Sequence, residues 1–246
     1  MTLKCGKIFL TGGQGRLGTE LRALLPGIVA PTEAQMDITS PEAVAAALDA
    51  ARPEVLVHAA AYTDVAGAEK DRRRCWEVNV QGTRNIVRAA MERDIFLVHI
   101  STDYVFEGTT GGYAEDDPVG PVRNYYALSK LAAEEVVRVA QRHLVIRTSF
   151  RPRQWPYPVA FTDVYTSQDY VDIIAPEIAL AVRRCREIPH STLHIATERK
   201  SVFELARRRR PDVKPGSKAQ AGVDLPDDIS MDISRWQRLK RQWSQA

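Results

Sequence analysis

Cysteine is scarce and scattered in this chain. Its 246 residues hold three, Cys5, Cys75 and Cys185, with no CxxC pair and no Cys/His cluster at metal-ligand spacing. That argues against a disulfide scaffold and against a structural zinc site, and it suits a reduced, cytoplasmic setting. Long apolar runs are missing too: none approaches the ~20 residues of a membrane helix, so no membrane association is expected. Lys4 and Lys7 lead directly into a strand pattern with no apolar leader, so no secretory signal is expected. An excess of one charge is also lacking. Lys and Arg number 34 against 31 Asp and Glu, a net +3, which is too little to imply a nucleic-acid partner. What remains is an ordinary globular composition, 44% hydrophobic and 26% charged. It is long enough for one α/β domain, or one domain with a small lobe.

The first 150 or so positions alternate between strand and helix patterns. Lys7 to Leu10 reads as a buried strand, and Leu17, Leu21, Leu24 and Leu25 carry helical spacing until Pro26-Gly27 stops it. Ile28 to Ala30 reads as a second short strand. Ser40 and Pro41 start a helix through Ala51. Strands are expected at Val55–His58, Phe96–Ile100 and Leu144–Arg147, and helices over 71–93 and 125–142. Such alternation predicts a doubly wound parallel sheet. Further on, a helix over 172–186, a strand at Thr192–Ile195 and a helix capped by Ser201 are expected, with Lys214 to Asp228 a surface loop. The division expected is a single domain over 1–246, with 150–246 forming a small substrate lobe.

Between the first strand and helix lies Thr11-Gly-Gly-Gln-Gly-Arg-Leu-Gly18. Glycines at 12, 15 and 18 suit a sharp turn, close backbone approach to a pyrophosphate, and tight packing of the helix, whose free N–H groups face the phosphates. An ordinary glycine-rich turn shares the spacing, but the strand before and helix after give the context of a Rossmann-type dinucleotide site. The run lacks the G-K-[ST] ending of a P-loop. Glu33 is the acid available for a ribose 2′-hydroxyl, whereas Arg16 suits a 2′-phosphate. The balance favours NADPH, with NADH as the alternative.

Tyr126 and Lys130 stand at i and i+4 and share a helix face. A lysine ammonium nearby is expected to lower the phenol pKa and let Tyr126 exchange a proton with a substrate oxygen. The pattern alone is common. Its position, one strand after Ile100-Ser-Thr-Asp-Tyr-Val-Phe106, gives it weight, because hydroxyls at the C-terminal edge of a parallel sheet face the ligand crevice. Thr102 is the candidate partner of a substrate carbonyl. Arg147, Arg151, Arg153 and Trp155 are candidates for gripping a diphosphate and stacking on a base or sugar, against a bland reading as surface charge and a packed Trp. His58 and His99 read as hydrogen-bonded core residues. Arg72–Arg74 and Arg207–Arg210 read as solvated helix faces. Trp236, Leu239 and Trp243 either dock a terminal helix on its own domain or form a homodimer contact, with docking the safer reading.

Together, the glycine turn, Ala59-Ala-Ala-Tyr-Thr63, Val78-Asn79, Ser101-Thr-Asp-Tyr-Val-Phe106 and Tyr126-xxx-Lys130 resemble the extended short-chain dehydrogenase/reductases. Within them the match is closest to the dTDP-4-dehydrorhamnose reductase family of sugar-nucleotide reductases. The resemblance implies an oxidoreductase with a Thr102–Tyr126–Lys130 catalytic triad acting on a nucleotide-linked 4-keto-6-deoxy sugar. It implies pyrophosphate contacts from Gly12, Gly15, Arg16, Leu17 and Gly18, and Asp37 and Ile38 beside the adenine. Ala60, Ala61 and Tyr62 would line the cofactor, Thr63 would lie toward the nicotinamide, and Tyr126 and Lys130 would meet its ribose. Asn79 would tie a helix to the sheet. The resemblance spans residues 6 to 150 and then thins. The D-Q-x-G-x-P-T segment of longer members is not found, so the substrate region is expected to be shortened. Two other readings stay open: a non-catalytic NADP-binding regulatory subunit, and an epimerase of the same superfamily.

Overall fold

The computed structural model describes residues 7–221 and 224–245; Cys5 and Lys4 lie outside them. The central sheet begins with β1 (Ile8–Thr11), whose chain turns through the glycines into α1 (Arg16–Leu24). Then come α2 (Pro41–Ala51), β2 (Val55–His58), α3 (Val65–Lys70), α4 (Arg72–Trp76), a π-helical stretch (Glu77–Gly82) and α5 (Thr83–Glu92). Next are β3 (Phe96–Thr102), α6 (Tyr125–Val137), β4 (His143–Thr148), β5 (Phe150–Arg151), β6 (Val159–Phe161), β7 (Tyr165–Thr166) and β8 (Asp169–Tyr170). The chain continues through α7 (Val171–Arg183), β9 (Thr192–His194), β10 (Lys200–Ser201), α8 (Val202–Arg207), β11 (Lys214–Gly216) and α9 (Ser234–Gln245).

The sheet has five parallel strands in the order β1-β2-β3-β4-β9. Its strands alternate their side chains between two apolar layers, as the pleat requires. Ile8 and Leu10 pack with Leu17, Leu21, Ile174 and Ile178 of α1 and α7. Phe9 and Leu56 pack with Leu48, Ile86 and Val137 of α2, α5 and α6. This is the doubly wound, Rossmann-type α/β architecture that the alternation predicted. The expected strand at Ile28–Ala30 shrinks to one parallel bridge between Val29 and Phe9 on the outer side of β1. The chain therefore lies on one side of β1 at Val29 and on the other at β2, and a crevice opens between them at the C-terminal ends.

Three other boundaries differ from expectation. The single helix over 71–93 is interrupted: Asp71 caps α4, its carboxylate accepting from the Arg74 N–H at 3.0 Å, and the π-helical turn follows. The helix from Tyr125 ends at Val137. Part of the expected loop over 214–228 is β11, which pairs with β6. The two-stranded pairs after β4 enclose a small apolar cluster of Trp155, Ala160, Val164, Tyr170, Val202, Leu205, Ala206 and Val213. Ser201 caps α8 through a reciprocal bond pair with Glu204. α9 docks on α7, where the buried Trp236 indole N–H donates to Glu177 at 2.6 Å. Among the described residues no helix is long and apolar enough to cross a membrane.

Candidate active site

A cleft of about 1050 Å³ runs along the C-terminal ends of β1, β2, β3 and β4. Its first wall is the glycine turn. Gly12 has φ +72°, and a Cβ there would lie 2.7 Å from the Ala60 nitrogen. The small Ala59-Ala60 pair and the bare glycine thus meet where β1 and β2 end. Thr11 fastens the contact: its hydroxyl accepts from the Ala60 N–H at 3.1 Å and bonds the His58 ring at 2.8 Å. Gly18 serves the turn rather than the sheet, since its Cβ would strike the Gly12 carbonyl oxygen at 2.1 Å. Gly15 caps α1 with no side chain over the first N–H groups. Such bare N–H groups on a cradle that a Cβ would fill fit a dinucleotide pyrophosphate.

The cleft brings together Gly12, Gly15, Arg16, Leu17, Gly18, Asp37, Ile38, Ala60, Ala61 and Thr63 with Thr102, Tyr126, Lys130, Arg151 and Trp155. Tyr62 is not among its lining residues. Its backbone is pinned instead: Asn79 accepts from the Tyr62 N–H at 2.7 Å and donates to its carbonyl at 3.1 Å. Asn79 also donates to Ser129 on α6 at 2.8 Å. The π-helical turn therefore ties the loop after β2 to the helix bearing Tyr126 and Lys130.

Thr102 ends β3, and its buried hydroxyl donates to Asp103 at 3.1 Å and accepts from the Tyr104 N–H at 3.2 Å. Burial pushes the Asp103 carboxyl up to about 6, opposed by bonds from Thr102 and Ser149 and by the charge of Arg151. Tyr104 meets Tyr126 edge-on, ring centres 6.3 Å apart. The expected lowering of the Tyr126 phenol is not found. Burial first, then the Asp103 carboxylate, push it well above the ordinary phenol value, and only the Thr102 hydrogen bond opposes them. Lys130 does not offset this, because its ammonium donates to the Ile100 carbonyl at 2.8 Å and lies 3.4 Å from His99 Nε2. Burial brings Lys130 down to about 8 against the pull of Glu134. His58 is held neutral by burial and by Lys130, its value lowered to about 3. It bonds Thr11 and Thr83, as a core histidine should.

Two arginine expectations are corrected. Arg147 is buried and pairs with Glu134 through two nitrogens, at 3.0 and 2.9 Å, so it is committed to the interior. Arg153 faces away from the cleft and grips Glu20 with two bonds of 2.8 Å. Arg151 does face it, stacked over the Trp155 ring at 5.4 Å. Its Nε and the Trp155 indole nitrogen are buried donors with no protein partner. Several lining residues carry no sequence signal of their own: Ser149, Phe150, Thr166 and Gln168 come from short elements with weak periodicity, and Asp103 stands beside Thr102 at the strand end. Arg74, read as one of a solvated run, also reaches the cleft.

The family model for the RmlD substrate binding domain matches residues 6–152. A dTDP-4-dehydrorhamnose reductase of Mycobacterium tuberculosis is 37% identical over 154 residues, 58% of this chain and 50% of that protein. One from Aggregatibacter actinomycetemcomitans is 33% identical over 151 residues, 58% of this chain and 51% of that one. The chain thus spans about half the length of these curated relatives. Solved structures match more of it. A hypothetical dTDP-4-dehydrorhamnose reductase from Sulfolobus tokodaii shares 31% identity and a TM-score of 0.81, covering 94% of both chains. The Bacillus anthracis dTDP-4-dehydrorhamnose reductase in complex with NADP shares 25% identity and a TM-score of 0.83, over 98% of this chain and 99% of that one. The glycine turn, the Thr102–Asp103 strand end and the Tyr126–Lys130 helix all fall inside the matched segment, and the chain belongs to the RmlD substrate-binding-domain family.

Proposed function

We propose that this chain is an NADPH-dependent reductase of a nucleotide-linked 4-keto-6-deoxy sugar, similar to the dTDP-4-dehydrorhamnose reductases, with NADH as an alternative donor. The observation that carries the reading is one continuous cleft joining the glycine cradle to Thr102, Asp103, Tyr126 and Lys130. The names of the relatives and the NADP held by the Bacillus anthracis neighbour support it. Gly12, Gly15, Arg16, Leu17 and Gly18 would hold the pyrophosphate, Asp37 and Ile38 the adenosine, Ala60, Ala61 and Thr63 the middle of the cofactor, and Lys130 the nicotinamide ribose. The bound cofactor supplies a hydride.

The chain's own part is the proton. A phenol held above its ordinary value keeps its proton at neutral pH, which suits Tyr126 to donate it to a carbonyl oxygen that becomes a hydroxyl. Lys130, charged below about pH 8 and held by the Ile100 carbonyl, would serve the nicotinamide ribose rather than the phenol oxygen. The Thr102 hydroxyl would turn its proton from Asp103 to the substrate carbonyl and so orient it against Tyr126. Residues 150–246 supply the substrate side of the same domain, where the unpartnered donors of Arg151 and Trp155 would meet the acceptor-rich diphosphate and sugar.

Purified protein, NADPH and a dTDP-4-keto-6-deoxy sugar give the test, followed as loss of NADPH absorbance. Turnover is expected, and Tyr126→Phe should lower kcat by about 100-fold or more while NADPH still binds. Tight NADPH binding without turnover on any such sugar would instead indicate a regulatory subunit. Undiminished turnover in the variant would remove Tyr126 from the mechanism.

A further inference from the structure

Arg72, Arg73 and Arg74 look alike in sequence but part company in space. Arg72 pairs with Glu69 and Arg73 with Glu77, each within a turn or so along the helix. Arg74 turns the other way, because the next residue, Cys75, is fully buried against Ser129 of α6 and fixes the rotation of α4. The Arg74 side chain lines the outer end of the cleft, with Nη2 3.6 Å from a Glu33 carboxylate oxygen. The Asp37 carboxyl is held below its usual value, by the Thr39 N–H foremost and by Arg74 among the smaller causes. Arg16, the first residue of α1, lines the same cleft; it is exposed and has no salt bridge among the described residues.

We propose that Arg74, with Arg16, forms the subsite for the 2′-phosphate of NADPH, and that Glu33 is the partner Arg74 gives up when that phosphate arrives. The inference rests on the dinucleotide reading above and adds to it the group that chooses between the two nicotinamide cofactors. A 2′-phosphate brings close to two negative charges and three strong acceptors, and the guanidinium groups lining this cleft match it. The contact it replaces is weak. At 3.6 Å it is longer than a hydrogen bond, and the Glu33 side chain is 79% exposed. An NADH site needs a carboxylate committed to the ribose hydroxyls. Here Glu33, a glutamate lining the cleft, is drawn toward an arginine, and Asp37 already accepts from the Thr39 N–H and hydroxyl, each at 2.8 Å.

NADPH and NADH would be titrated into the full chain, followed by calorimetry at low and moderate salt. The wild-type chain is expected to favour NADPH, and the preference should shrink as salt rises. Arg74→Ala should weaken NADPH by about tenfold or more, with NADH moving by less than about twofold. Glu33→Gln should tighten NADPH by a fewfold, because it removes the competing carboxylate. Arg74 is half-exposed and its contact with Glu33 is weak, so thermal unfolding of the variant should match wild type and exclude a folding defect. Equal weakening of both dinucleotides, or no weakening of NADPH, would overturn the subsite while leaving the dinucleotide reading intact. Failure of the wild-type chain to bind either dinucleotide would overturn both.

Discussion

Replacing Glu134 by Leu tests how the helix bearing Tyr126 and Lys130 is held. Glu134 lies one turn beyond Lys130 on α6 and is wholly buried, with Arg147 of β4 only 1% exposed beside it. One carboxylate oxygen accepts from the Ser101 hydroxyl at 2.5 Å and from Arg147 Nε at 3.0 Å, and the other accepts from Arg147 Nη2 at 2.9 Å. Arg147 also donates to the Glu115 carbonyl at 3.3 Å and lies 5.0 Å from the Phe106 ring centre. The pair therefore clamps α6 to β3 and β4, and with it the positions of Tyr126 and Lys130 relative to Thr102. Glu134→Leu leaves a buried guanidinium without its counter-charge, which costs about 3–5 kcal/mol. For a chain of this length that corresponds to a Tm lower by about 6–20 °C. Thermal unfolding by circular dichroism reads it. The paired variant Glu134→Leu, Arg147→Met removes both charges and should recover most of the loss, to within about 2 kcal/mol of wild type. A single variant within about 2 °C of wild type, or a pair no better than the single, would refute the clamp.

Asp103 gives a pH signature. Its folded value of about 6 lies above the ordinary 3.8, so the native state holds that proton more tightly than the unfolded chain. The stability it contributes is fully present below about pH 4 and is lost as pH rises through 6, an amount of about 3 kcal/mol. Asp103→Asn should therefore gain on wild type by roughly that much between about pH 4 and 7.5 in denaturant midpoints; a difference that stays flat with pH would contradict the burial argument. Gly18→Ala should cost about 1–3 kcal/mol and weaken dinucleotide binding, because its Cβ would meet the Gly12 carbonyl at 2.1 Å and the Gly13 Cα at 2.7 Å, backbone atoms with little room to yield. Unfolding and NADPH titrations would show it, and an unchanged affinity would mean the turn is not a cradle.

The sequence by itself determined the elements whose signals are local. Ser40 before Pro41, the leucine spacing of α1, the glycines at 12, 15 and 18 and the runs at Val55 and Phe96 each state their structure within a few residues, and the alternation fixed the parallel sheet. That Thr102, Tyr126 and Lys130 line one cleft was legible because strand and helix order sets which ends of the sheet face a crevice. Tertiary structure decided what each charge does. Arg147, Arg151 and Arg153 are close in sequence, yet one pairs with Glu134 inside, one faces the cleft beside Trp155, and one grips Glu20 outside. Arg74 leaves its neighbours for the cleft because Cys75 is buried. Tyr126 is raised rather than lowered because burial and Asp103 act on it while Lys130 points to Ile100. Periodicity is a property of neighbouring residues and can be read along the chain. The partner of a buried charge, and the solvent it loses, depend on residues tens of positions away that only the folded arrangement brings near.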